Sequence, residues 1–111
     1  MIYSNKIENN VLMIRMIENN NINSFFIKLN INISIIHIFR ELYLNIHKNN
    51  NYSNTIDNVL IEYKNNQIRF EGSNFEYKIN KNQEIIDFID KIITNLMIYE
   101  QDIESPRANY V

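Results

Sequence analysis

The chain has 111 residues, 45% hydrophobic and 22% charged, with a formal net charge of −2 and a pI of about 5.6. That length makes one domain with one modest core, and the acidic balance argues against a strongly basic nucleic-acid binder, which needs a clustered excess of Lys and Arg. The lack of Cys excludes disulfides, thiolate metal sites and cysteine catalysis.

Taken in chain order, residues 2–7 form a short strand that Asn9-Asn10 turns back into a second strand over 11–17. Residues 24–31 alternate, with Phe25, Ile27, Leu29 and Ile31 on one face. A helix follows over 35–47, started by Asn32 or Ser34, with Ile35, Ile38, Phe39, Leu42 and Ile46 as its apolar stripe. Residues 48–58 read as a loop between the halves.

The stretch YKNNQIRFEGSNFEYKI, residues 63–79, decodes as a meander with tight turns at Asn65-Asn66 and Gly72-Ser73. Those turns predict the pairs Tyr63 with Ile68, Ile61 with Phe70, Phe70 with Phe75 and Ile68 with Tyr77. Val59, Ile61, Tyr63, Ile68, Phe70, Phe75, Tyr77 and Ile79 then share one face. Arg69 falls on the other face between Glu62 and Glu76, where opposite charges support the register.

A second helix spans 80–100, capped by Asn80 with Gln83 or by Asn82. Its stripe is Ile85, Ile89, Ile92, Ile93, Leu96 and Tyr99, and Asp87 and Lys91 are spaced to pair on the other side. Residues 25–46 lie over 75–96 at an offset of 50 with several identities, which suggests an internal repeat. The expected fold class is α+β: a single two-layer domain over 1–100 in the order (β)ββα-βββα. A mostly antiparallel sheet of five or six strands carries both helices on one face, and 101–111 form a flexible tail.

Asn (22) and Ile (23) fill 45 positions while Gly, Ala and Pro occur once each, a skew expected of a very AT-rich genome such as that of a virus, phage, protist or low-GC bacterium. No apolar run reaches a membrane span, and the first residues lack the basic and apolar regions of a signal peptide. A soluble, intracellular protein is expected, in which the sequons at Asn32 and Asn51 stay unmodified.

Catalytic signatures are missing. With one Gly there is no phosphate-cradling loop, and no hydrolase or nucleotide motif occurs. His37 and His47 sit about 15 Å apart along one helix, too far to share a metal ion, and His37 with Glu41 finds no third ligand at recognisable spacing. Glu84, Asp87 and Asp90 belong to the solvated side of the second helix. No cofactor, metal or catalytic residue is expected.

The feature left over is the outer face of the first strands. With Phe25 inward, Phe26 and Lys28 point out, and both alternating sets of 11–17 contain apolar residues. The set Val11, Met13, Arg15 and Ile17, with Phe26 and Lys28, has the mix of aromatic, Met and Arg found in interface cores. The expected function is a non-enzymatic protein–protein interaction module, such as a small viral or phage accessory protein, inhibitor or adaptor, acting by surface occupation or homodimerisation. The alternative is nucleic-acid binding through Arg15, Lys28, Arg69 and Lys78 with aromatic stacking platforms. A membrane partner is not expected.

Overall fold

A computed structural model describes residues 1–30 and 34–104, except for the side chains of residues 103 and 104. Within the described residues nine elements follow one another: β1 (Ile2–Glu8), β2 (Val11–Glu18), β3 (Asn21–Lys28), α1 (Ile35–Lys48), β4 (Tyr52–Ile56), β5 (Val59–Lys64), β6 (Gln67–Glu71), β7 (Glu76–Asn80) and α2 (Gln83–Glu104). The fold is α+β, as the alternation of periods requires. The strands form two antiparallel sheets, β1-β2-β3 and β4-β5-β6-β7, in place of the expected single sheet of five or six strands.

Asn-Asn or Asp-Asn pairs build four of the hairpins. Asn9-Asn10, Asn19-Asn20, Asp57-Asn58 and Asn65-Asn66 all take positive φ, between 50° and 67°. Positive φ at both central positions is the signature of a type I′ turn, whose twist matches that of the flanking strands. Glycine usually supplies it, and Asn is the residue that best tolerates the left-handed region in its absence. The Asn content therefore has a structural use. Two of these turns extend the architecture beyond the sequence-based expectation: Asn19-Asn20 starts β3 at Asn21, three residues early, and Asp57-Asn58 creates β4 inside the expected loop.

The meander departs from expectation at Gly72. Tyr63 pairs with Ile68 and Ile61 with Phe70, but Phe70 pairs with Tyr77 and Ile68 with Ile79. Gly72 has no positive φ, and its N–H donates to the Phe75 carbonyl at 2.9 Å, closing a wider loop than a two-residue turn. A Cβ on Gly72 would fall within the Phe75 ring, so the glycine is needed for close approach. The register moves by two residues, an even number, and every side chain keeps its face.

Ser34 caps α1 by accepting from the His37 N–H at 3.3 Å, and Asn82 caps α2 by accepting from Ile85 N–H at 3.0 Å. The end of α1 is a Schellman motif: Asn49 sits at φ 56°, with Asn50 N–H on Asn45 and Asn49 N–H on Ile46. Asp87 accepts from Gln83 at 2.8 Å. Helix α2 continues to Glu104, four residues past its expected end, and 105–111 of the expected tail lie outside the described residues, as do Asn32 and Ile31.

The inner faces of both sheets and the apolar stripes of both helices fuse into one core. The helices pack against each other, α1 lies on β4 and β5, and α2 lies on β1. Across the core the two sheets meet through side chains: Phe25 of β3 packs on Phe70, Phe75 and Tyr77 at centroid distances of 5.0 to 5.9 Å. Tyr3 of β1 stacks on Phe88 of α2 at 4.9 Å, and burial together with the carboxylates of Glu84 and Glu18 raises its phenol pKa. Among the described residues three strands precede α1 and four lie between α1 and α2, so the halves do not repeat strand for strand.

Candidate interaction face

The first sheet is wetted on one side. Leu12, Ile14, Met16, Phe25 and Ile27 are buried against the helices and the second sheet, which by alternation turns Val11, Met13, Arg15 and Ile17 outward. Strand pairing arranges this outer face in four rows across β1, β2 and β3: Ile2, Ile17, Ile22; Ser4, Arg15, Ser24; Lys6, Met13, Phe26; and Glu8, Val11, Lys28. All six residues assigned to the face from sequence lie on it together. Ile2, Ile22 and Phe26 are 66%, 64% and 58% exposed, while Val11, Met13 and Ile17, on the central strand, are half-buried.

An open depression of about 500 Å³ lies at one end, lined by Lys6, Glu8, Asn9, Val11, Met13 and Phe26. Lys6 and Glu8 bridge at 3.1 Å along its rim. Arg15 sits in the central strand with its Nη2 3.9 Å from Met13 Sδ, and its Nε is buried with no hydrogen-bond partner. A buried donor left unpaired costs about 1–3 kcal/mol, and among the described residues Arg15 Nε is the one buried side-chain nitrogen or oxygen without a partner.

Sequence reasoning missed Ile2 and Ile22, which complete the apolar row beside Arg15, and the flanking Ser4 and Ser24. The Asn19-Asn20 pair carried the information: counted as a turn like Asn9-Asn10, it sets Ile22 opposite Ile17 and Ser24 opposite Arg15.

The outer face of the second sheet is different in kind. Arg69 donates to Glu62 at 3.1 Å and to Glu76 at 2.9 Å, with Glu71 at 3.5 Å. Its cross-strand neighbours are Glu62 and Lys78, and Glu76 reaches it from the diagonal position. Glu71 and Glu76 face one another in register, and Arg69 spans that like-charged pair. The hydrogen bond from Arg69 holds the Glu76 carboxyl below its ordinary range, and the bonds to Glu76 and Glu62 push Arg69 higher still. This face is closed electrostatically.

The cations invoked for nucleic-acid binding are therefore divided: Arg15 and Lys28 on one sheet, Arg69 and Lys78 on the other, the latter two bound to glutamates. Among the described residues no three His, Asp or Glu side chains converge to hold a metal ion, and no helix is long and apolar enough to cross a membrane. The chain matches no protein-family model, no curated protein and no solved structure.

Proposed function

We propose that the protein is a non-enzymatic protein-binding module and that the outer face of β1, β2 and β3 is its contact surface. The observation that carries this reading is the apolar row Ile2, Ile17, Ile22 together with Phe26 and Met13, with Ile2, Ile22 and Phe26 each more than half exposed, on the solvent side of a sheet whose other side buries Leu12, Ile14, Met16, Phe25 and Ile27 in the core. Exposed apolar side chains grouped on one face of a small domain, here on both sides of the row Ser4, Arg15, Ser24, mark an interaction site. Aromatic, Met and Arg side chains are the types enriched at interface centres. The face is open and shallow, which suits a macromolecular surface better than an enclosed small molecule.

The test is a pair of variants, Met13→Asp and Phe26→Asp, compared with wild type by urea unfolding, by light scattering over a concentration series and by affinity capture. Both variants are expected to stay folded and to lose association. Unfolding of both, or association unchanged in both, overturns the assignment of this face.

A further inference from the structure

Resting on the reading just given, we infer that the occupant of this face is an acidic segment of a different protein, whose carboxylate, flanked by apolar side chains, is received by the row Ser4, Arg15, Ser24. The argument is charge complementarity. The protein is acidic overall, at −2, yet its outer face carries the cations Lys6, Arg15 and Lys28 against the single carboxylate of Glu8. Lys6 is bridged to Glu8 and the Lys28 backbone N–H donates to the Asp57 carboxylate at 2.7 Å, which leaves Arg15 as the charge a partner meets.

Arg15 is the centre of the seat. Its register neighbours are Ser4 and Ser24 on either side, and among the described residues neither hydroxyl has a hydrogen-bond partner. Its Nε lies buried and unpaired. An incoming carboxylate takes the guanidinium in the planar, two-bond geometry that Arg offers and Lys does not. Drawing the side chain off the sheet also frees Nε from its unsatisfied position. Two hydroxyls beside the guanidinium can donate to the same oxygens. The row of three Ile residues on one side and Met13 with Phe26 on the other call for apolar neighbours of the acid and shield the ion pair from water.

A second copy of the chain fits less well. Face to face, each copy brings the same excess of positive charge, and a two-fold axis along β2 sets Arg15 against Arg15. Nucleic acid fits less well again, since phosphate binding needs a track of cations and the rows on both sides of Arg15 are largely apolar.

The experiment selects a displayed library of random peptides on the full chain and measures the enriched peptides by fluorescence anisotropy. Enriched sequences are expected to hold an Asp or Glu between large apolar residues. Changing that acid to its amide, or Arg15→Gln in the protein, weakens binding by about tenfold or more, as loss of a charge-assisted pair implies. Arg15→Lys restores only part, and Phe26→Asp abolishes binding. Arg15→Gln leaves the unfolding midpoint unchanged or raised, which separates a binding role from a structural one.

Enriched peptides without an acid that bind the Arg15→Gln protein normally but fail on Phe26→Asp overturn the carboxylate seat and leave the contact face standing. Peptides indifferent to both variants, or no enrichment, overturn seat and face together. A mass that doubles with concentration and reverts in Phe26→Asp makes the occupant a second copy. Salt-sensitive binding of a labelled oligonucleotide lost in Arg15→Gln makes it nucleic acid. Either result overturns the inference.

Discussion

The Tyr63 hydroxyl donates to Asn49 Oδ1 at 2.5 Å, which joins the last turn of α1 to a central strand of the second sheet. Asn49 serves twice there, since its backbone takes the left-handed conformation that ends the helix while its side chain accepts from a tyrosine that is 1% exposed. A buried hydroxyl needs such a partner, and Lys81 adds a second tie by donating to the Ile46 carbonyl at 3.0 Å. Tyr63→Phe is expected to cost about 1 kcal/mol in urea unfolding. Asn49→Gly keeps the left-handed turn and loses one acceptor, while Asn66 Oδ1 stays 3.2 Å from the hydroxyl, so the double variant should cost little more than Tyr63→Phe alone. Fully additive losses would show that the two residues act separately.

The Asn turns make a prediction about backbone, independent of contacts. Asn20 sits at φ 67° in the turn between β2 and β3. Asn20→Gly should leave stability unchanged or raise it by a few tenths of a kcal/mol, because glycine enters that region without strain. Asn20→Val should lower it by about 1–2 kcal/mol, since a β-branched side chain is strongly disfavoured there. Thermal melts of the two variants check the ordering; equal melting temperatures would mean that the turn has another conformation in solution.

The Asn turns also show how far the sequence could be read. The inward faces were legible because Val59, Ile61 and Tyr63, then Ile68 and Phe70, fall at every second position, and a one-residue slip would have exposed all of them. Both helices were legible from their stripes and caps. What failed were positions where the local chemistry is ambiguous. Asn19-Asn20 and Asp57-Asn58 look like ordinary polar loop in a chain with 22 Asn, so the start of β3 and all of β4 were missed. At Gly72 the glycine serves the Phe75 ring rather than a positive φ, which no local pattern encodes. The division into two sheets depends on side-chain packing of Phe25 across the core, a tertiary choice. The six residues of the outer face followed from alternation alone, whereas Ile2, Ser4, Ile22 and Ser24 needed the pairing register.

The cluster around Arg69 gives a pH dependence. The hydrogen bond from Arg69 lowers the Glu76 pKa in the folded protein. A lowered carboxyl contributes stability that is present above its unfolded pKa and is lost as pH falls through the folded value. Arg69 stays protonated through that window and does not titrate. Wild type should therefore lose melting temperature on acidification below the ordinary carboxylate range more steeply than Glu76→Gln, with the two curves parallel near neutrality. Parallel curves throughout would mean that the pair is fully screened by solvent, as many exposed pairs are.

Neighbouring Phe25 and Phe26 test the two faces of β3 against each other. Phe25 is 2% exposed and packs on Phe70, Phe75 and Tyr77, while Phe26 is 58% exposed beside Met13. Removing a buried Phe side chain costs about 3–5 kcal/mol, because the transfer energy is lost and the site collapses only in part. That is a large share of the stability of a domain this size, so Phe25→Ala should unfold at much lower urea or fail to fold. Phe26→Ala should stay within about 0.5 kcal/mol of wild type, like other surface changes away from packed features. A slip of β3 by one residue would exchange these outcomes, so the pair of unfolding curves reads the register directly. A large loss in Phe26→Ala would mean that this side chain is buried in solution, and the concentration dependence of that loss would tell a covering second molecule from a rearranged chain.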